Sequence, residues 1–418
     1  MSNQAMWDII IVGAGPAGLS AAIAAAEKSN IRVLICERDE VVGGVPRHCH
    51  HTGWGLRDLR WNYSGPSYAQ KLGLMAQKSG AEILTGTTVR KIESSNGHHT
   101  VNTVSSAGIQ SFTAQVLILA TGCRESTRHA RLVPGKRPLG IFNTGALQQL
   151  VHLKHIIPGS RALILGSEHV SFSAVMTLKN AGVEVVGMIE PDAYPHSFSP
   201  VSWLSQRWYN FPLFLNSSIV GINGNSRLTS VTVEDGSTHN KREIPCDTLI
   251  VSGGFRPEIS LALDSDLSID SATEGLLTDS FLHTERKGIF GCGNILHGAE
   301  TGDIAALEGR WAGENAVRYL GHQMGEVQRI RIDCESGIDW ISPGNIFNPL
   351  VNVPSFLYTM RVKQRIRNAV VSASCNGEII WRKNYGTLTP SRRIPVPVRN
   401  WKIPVGVSNR DVIKLSIE

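Results

Sequence analysis

No two of the seven cysteines (36, 49, 123, 246, 292, 334 and 375) are spaced as Cys-x2-Cys or Cys-x4-Cys. This excludes a redox-active dithiol at either of those spacings. It also argues against a zinc or iron–sulfur framework and suits a reducing compartment. Long apolar runs are lacking too, since none reaches the ~20 residues needed to span a bilayer. The opening Met-Ser-Asn-Gln-Ala-Met-Trp-Asp has no basic n-region and no cleavage site, so a cytoplasmic protein without a membrane span is expected. There is no acidic excess, because the net charge is +6. Residues 321–418 hold 14 Lys/Arg and 7 Asp/Glu, which leaves −1 for the rest of the chain. The surplus gathers in Arg361-Val-Lys363-Gln-Arg365-Ile-Arg367, Arg382-Lys383 and Arg392-Arg393. A solvated strand face explains such runs most simply, and an anionic substrate or an acidic partner subunit also fits. No nucleic-acid motif accompanies the charge, so nucleic acid is not expected as a partner.

The informative part of the sequence is residues 8–44. Ile9-Ile-Ile-Val12 reads as a buried parallel strand. Gly13, Gly15 and Gly18 follow at the Gly-x-Gly-x-x-Gly spacing. They provide a tight turn, room for a pyrophosphate and close packing of the next helix. Pro16 and Ala17 open that helix, whose N-terminus offers N–H groups and a positive dipole end to phosphates. A second strand, Ile31–Cys36, ends at Glu37, the usual place for a carboxylate that binds the adenosine ribose. Arg38 follows, and Gly43-Gly44 closes the fingerprint. Strand, glycines, helix, strand and acid in this order indicate FAD.

Strand-like runs follow at Thr87–Glu93, which contains the candidate cofactor contact Val89, and at Thr100–Val104, Ile109–Thr113 and Val116–Ala120. The last leads into Ala120-Thr121-Gly122, where small side chains permit a close crossing over the cofactor. A second βαβ pattern runs from Arg161–Gly166 through helix-like Ser171–Asn180 to a strand ending at Glu190. It stands where a nicotinamide-nucleotide domain belongs, but its loop reads Gly166-Ser-Glu168-His-Val-Ser171. Ser171 replaces the third glycine, and Glu168 directs negative charge toward a pyrophosphate. The reading is a domain kept for structure, with NAD(P) binding left open. Strand-like Leu228–Val233 and Cys246–Gly254 complete it. The chain then returns through Leu276–Asp279 and Gly288–Asn294 to a helix over Asp303–Leu320. In related flavoproteins a Gly-Asp here binds the ribityl chain. Gly293-Asn294 takes that place, and an amide can serve. Beyond 326, alternating runs at 370–374, 378–381, 394–398 and 412–417 read as β-rich. The expected architecture is α/β, with two Rossmann-like dinucleotide-binding domains and a small β-rich C-terminal domain. The FAD domain is placed at 1–124 and 275–325, the NAD(P)-binding-like domain at 125–274, and the last domain at 326–418.

The connector Gly43-Gly44-Val-Pro46-Arg47-His48-Cys49-His50-His51-Thr52-Gly53-Trp54-Gly55-Leu56-Arg57-Asp58 is rich in His, Cys, Arg and Trp. In this fold it passes near the isoalloxazine, so Arg47, Cys49 and His51 are the candidate catalytic residues, with Arg124 and Glu125 next. His51 is favoured as a general base because an imidazole titrates near neutrality. Neighbours in sequence rarely converge on one ion, so no metal is expected. A polar loop whose histidines cap backbone groups is the plainer alternative.

This segment resembles a particular family. So do Gly65-Pro66-Ser-Tyr68-Ala69, Ala120-Thr-Gly-Cys-Arg124-Glu125, Gly140-Ile-Phe-Asn-Thr-Gly145-Ala-Leu-Gln148-Gln149 and Gly291-Cys-Gly-Asn294-Ile-Leu-His297. The family comprises the FAD-binding subunits of bacterial opine oxidases, hydroxyproline dehydrogenases and hydrogen cyanide synthase, with relatives from glycerol-phosphate operons. It lies within the pyridine nucleotide-disulfide oxidoreductase-like superfamily, whose fold is that of glutathione and thioredoxin reductases. The resemblance covers about residues 7–320. Many of those relatives carry a cysteine-rich 2Fe–2S segment at the C-terminus. Only Cys334 and Cys375 lie there in this chain, so the resemblance leans to the glycerol-phosphate-operon branch.

The resemblance implies an FAD-dependent dehydrogenase component. Its small-molecule substrate would be an amine, an imino acid or opine, or a hydroxy compound such as glycerol phosphate. Hydride would pass to flavin and electrons onward to a second flavoprotein or ferredoxin-like subunit. The alternatives are an NAD(P)H-dependent flavin reductase feeding a partner and a non-catalytic FAD electron-relay subunit.

Overall fold

The computed structural model describes residues 6–27, 30–197, 199–323, 328–335, 337–348 and 353–418. The chain divides into two compact units. One takes the chain up to Arg47, Thr52–Arg124 and Arg256–Glu418, and the other takes His48–His51 and Glu125–Phe255.

The first unit begins with β1 (Trp7–Val12), α1 (Pro16–Ala26) and β2 (Val33–Cys36). It continues with α2 (Gly65–Lys78), β3 (Glu82–Leu84), β4 (Thr88–Ser95), β5 (His98–Ser105) and β6 (Gly108–Leu119). β3, β2, β1 and the C-terminal half of β6 run parallel, whereas β4, β5 and the N-terminal half of β6 form an antiparallel meander. Ile9, Ile10 and Ile11 are fully buried, as expected for a strand covered on both faces. The two strand-like runs at Ile109–Thr113 and Val116–Ala120 are one strand. Ala114 pairs with both His99 and Trp7, so the ladder changes partners there without a break in the backbone.

In the second unit the elements are β7 (Ile141–Asn143), α3 (Thr144–Gln148), β8 (Arg161–Leu165), α4 (His169–Asn180) and β9 (Glu184–Ile189). α5 (Ser199–Tyr209), β10 (Leu213–Phe214), β11 (Ser217–Gly224), β12 (Leu228–Asp235), β13 (Lys241–Pro245) and β14 (Thr248–Val251) follow. A parallel sheet in the order β7-β14-β8-β9-β10 forms its centre, and β11-β12-β13 make a separate antiparallel sheet.

The chain re-enters the first unit at Arg256, before the expected 275, because Glu258 bonds to the end of the first sheet. Thr121 Oγ1 donates to Glu258 O at 2.7 Å, and Glu258 N donates to Gly122 O at 2.9 Å. β15 (Ile289–Gly291) then joins β6 in parallel, and α6 (Gly302–Leu320) packs on α1. The two helices touch backbone to backbone. A Cβ at Gly309 would lie 2.0 Å from Ala17 O, and one at Gly313 would lie 2.3 Å from Ala21 O.

The C-terminal region is β-rich as expected. Its main sheet contains Gln328–Cys334, Asn345–Asn348, Val370–Cys375, Glu378–Asn384 and Val412–Ile417. These strands share one continuous apolar core with β1, α1 and β6. The join also has a buried polar seam. Trp311 Nε1 donates to Ser280 O at 2.8 Å, Ser280 Oγ lies 2.8 Å from Tyr358 Oη, and Phe347 N donates to Ser280 Oγ at 3.0 Å. Among the described residues, no helix is long and apolar enough to cross a membrane.

Candidate functional site

In the first unit the glycine loop follows from where β1 must end. Gly13 leaves the strand at φ +104°, and a Cβ there would lie 2.5 Å from Ala120 O, so the segments leaving the parallel neighbours β1 and β6 lie in close contact. A Cβ at Gly18 would lie 1.8 Å from Gly13 O, which ties α1 against the turn. Gly15 differs. It is the N-cap of α1, no side chain caps the helix, and a Cβ would meet nothing within 4 Å. Open space before uncapped helix N–H groups suits a pyrophosphate, and Pro16 and Ala17 form the first helical turn behind it. Gly44 closes on Gly15, its Cβ position lying 3.0 Å from Gly15 Cα.

Glu37 is buried and held on both oxygens, with Ala14 N donating at 2.6 Å and Asp39 N at 2.9 Å. That fixes a carboxylate at the end of β2, where ribose hydroxyls would reach it. Arg38 beside it is exposed. Val89 lies half-buried on β4, packed against the core. Ala120 N donates to Val12 O at 2.9 Å, so the Ala120-Thr121-Gly122 turn borders the glycine loop. Gly293 closes on the other side, its Cβ position 2.7 Å from Ala17 Cβ. The structure therefore gathers Gly13, Gly15, Gly18, Gly44, Ala120 and Gly293 around the N-terminus of α1. These residues fit FAD. Asn294 uses its Oδ1 to accept from Glu300 N at 3.0 Å.

Several residues here had no role assigned from the sequence. Glu308 is buried on α6, accepts from Gly293 N at 3.1 Å, and places its other oxygen 3.3 Å from His297 Nε2. Arg57 bonds the buried Asp303 at the start of α6, with Nη1 to Oδ2 at 3.0 Å. Trp54 lies on Gly302, and Tyr68 Oη donates to Asp58 at 2.6 Å. Gly309 and Gly313 could have been read in advance, from their four-residue spacing.

The His/Cys connector is divided between the units. Arg47 belongs to the first, where it pairs with Asp39 and its Nε donates to Gly44 O at 3.4 Å. Cys49 and His51 belong to the second. Cys49 Sγ lies 3.2 Å from Gln148 Oε1, and Gln148 Nε2 donates to Ser173 Oγ at 3.1 Å. Burial, with the Glu125 charge adding, pushes the Cys49 thiol up to about 12. It is a neutral S–H donor rather than a ready thiolate. His50 stacks on His152 at 3.9 Å between centroids, and burial lowers both pKa values, that of His152 to about 4. His51 is partly exposed. The two secondary candidates also part. Arg124 pairs with Glu258 at 3.3 Å in the first unit. Glu125 is buried in the second and accepts from Gly145 N at 2.7 Å and Gly253 N at 3.1 Å.

The second unit repeats much of the first loop's construction. Gly166 leaves β8 at φ +107°, and a Cβ there would lie 2.7 Å from Ser252 O, the counterpart of Gly13 against Ala120. At the end of β9, Glu190 accepts from Ser167 Oγ at 2.5 Å and from Asp192 N at 3.1 Å. The bond from the second residue onward is the one Glu37 accepts from Asp39.

The family model described as pyridine nucleotide-disulphide oxidoreductase covers residues 7–309. The chain belongs to this family. It is an FAD-dependent oxidoreductase. Similar proteins include a ferredoxin–NADP reductase of Ignicoccus hospitalis, 25% identical over 75% of this chain and 98% of its own length. Another is the hydrogen cyanide synthase subunit HcnB of Pseudomonas protegens, 26% identical over 75% of this chain and 70% of its own. The thioredoxin reductase structure of Lactococcus lactis superposes with a TM-score of 0.64 at 19% identity, covering 76% of this chain and 99% of that one. That match speaks for the fold alone.

Proposed function

We propose that this chain is a flavin reductase that takes electrons from NADH through FAD to a separate redox protein. The observation that carries the reading is Glu190. It repeats the position and the backbone bond of Glu37, on a unit that keeps the parallel sheet and the Gly166 contact. A fixed carboxylate there accepts from ribose hydroxyls and repels a 2′-phosphate, which favours NADH over NADPH. The similarity to a ferredoxin–NADP reductase supports the direction of electron flow. No two cysteines are spaced as a redox dithiol, so the electrons leave to a partner, a ferredoxin-like protein or second flavoprotein.

FAD, when bound, accepts a hydride and releases electrons onward. Its pyrophosphate would be held by Gly13, Gly15, Pro16, Ala17 and Gly18, with Gly44 beside them. Glu37 and Arg38 would take the adenosine ribose, and Val89, Ala120, Thr121, Gly122, Gly293 and Asn294 would supply further contacts to the cofactor. Arg47 would orient the reacting groups on this unit.

A second reading is a dehydrogenase component oxidising an amine, imino acid, opine or hydroxy compound. It draws on the similarity to the hydrogen cyanide synthase subunit and on the carboxylate of Glu168 in the second loop. Anaerobic stopped-flow mixing decides between them. NADH should bleach the flavin, with NADPH slower. Bleaching by organic donors alone would transfer the case to the dehydrogenase, and no bleaching by millimolar NADH ends the reductase reading.

A further inference from the structure

Glu168 occupies the place in the second loop that Gly15 holds in the first. Each is the third residue of its motif and the N-cap of the following helix, with φ/ψ of −70°/172° for Glu168 and −77°/−176° for Gly15. Each motif opens with a glycine in close contact with the segment leaving a neighbouring strand. The surroundings differ. Space in front of Gly15 is open, whereas the Glu168 side chain folds onto the Gly253-Gly254 turn. Its Oε1 would lie 2.5 Å from a Cβ on Gly253, and Gly254 N donates to it at 3.3 Å. The preceding N–H of that turn, Gly253 N, is taken by Glu125.

The loop is also tied from its other side. His196 N donates to Ser167 Oγ at 3.0 Å and Ser197 N to Ser167 O at 2.9 Å. Ser197 Oγ lies 2.8 Å from His169 Nδ1, at the first residue of α4.

We propose that Glu168 is an internal occupant of the pyrophosphate seat of the second unit, so that a dinucleotide binds there only by displacing its side chain. The unit keeps the ribose carboxylate and the glycine at the strand end, but its own carboxylate stands where the phosphates of the ligand would sit. Two effects oppose the ligand. A Cβ at this position blocks the approach that Gly15 allows, and a negative group repels the pyrophosphate. Glu168 thus sets the affinity for the nicotinamide nucleotide. The kinetic consequence rests on the reductase reading, whereas the binding consequence does not.

The test compares wild type, Glu168→Gly and Glu168→Gln as FAD-loaded proteins, with calorimetric titration of NAD⁺ and the NADH concentration dependence of flavin reduction. Glu168→Gly should bind NAD⁺ at least tenfold more tightly, with Glu168→Gln in between because it keeps the bulk and loses the charge. The NADH concentration for half-maximal reduction should fall in step. Tighter binding by Glu168→Gly without reduction of any form by NADH supports the occupant and sinks the reductase. Binding by Glu168→Gly within twofold of wild type, or weaker, or absent in all three proteins, overturns the proposal, and reduction of wild type would still leave the reductase standing. Flavin content and circular dichroism matching wild type establish that both variants are folded.

Discussion

Replacing Gly15 by valine should separate cofactor binding from folding. The backbone at φ −77°, ψ −176° is extended and open to any L residue. The new Cβ meets nothing within 4 Å, so the apoprotein should keep wild-type stability to about 0.5 kcal/mol. A pyrophosphate, however, must use the volume that the isopropyl group would fill. Losing two charged hydrogen bonds at about 1.5–3 kcal/mol each weakens FAD binding by roughly 3–6 kcal/mol, or roughly 10²–10⁴-fold. Loss of a tight ligand lowers the melting temperature by mass action, so the comparison has to be made between deflavinated proteins. The assay is flavin per chain after gel filtration, with thermal unfolding of both apoproteins. Gly18→Val is the contrast. Its Cβ would lie 1.8 Å from Gly13 O, and the variant should fail to fold. A Gly15→Val protein that retains stoichiometric flavin, or whose apo form melts far below the wild-type apo form, would refute the reasoning.

Gly309→Val should force α6 away from Ala17 O and cost about 3 kcal/mol or more, read as a lower urea midpoint; an unchanged midpoint would mean the helices are not in backbone contact. Cys49 should resist iodoacetamide in the native protein at about pH 8 and react on unfolding. Mass spectrometry of the labelled peptides reports this, and native labelling as fast as denatured would contradict its burial. For His152 the folded state disfavours the imidazolium. Its contribution is complete above the ordinary histidine value of 6.5 and is lost as pH falls toward about 4. Partial exposure limits the effect to about 1 kcal/mol. His152→Phe should flatten the difference in urea midpoint between about pH 7 and about pH 5, and an unaltered pH profile would place the titration elsewhere.

The fingerprint at 8–44 was legible because its chemistry is written in covalent spacing. A strand that must turn under a phosphate requires glycine at fixed intervals, and a carboxylate must follow the next strand. The Gly166–Glu190 repeat was legible for the same reason. The extent of β6 was not, because Thr113-Ala114-Gln115 reads as a pause in an apolar run. In the sheet, Ala114 is where one strand passes from an antiparallel neighbour to a parallel one. The alternation beyond 326 showed strands, but period-two patterning does not say whose core they cover. Cys49 looked reactive by composition and is buried against Gln148, a partner 99 residues away.

The sequence alone determined the flavin loop, the absence of a closely spaced dithiol and the acid in the second loop, since each depends on residues close together along the chain. Tertiary structure decided the rest. It set Glu308 under Gly293, joined Arg57 to Asp303 across 246 residues, and made the C-terminal strands part of the first core. It also folded Glu168 onto the Gly253-Gly254 turn, 86 residues from it. Contacts at such separations arise only when the packed core brings distant segments together, and no local pattern encodes them.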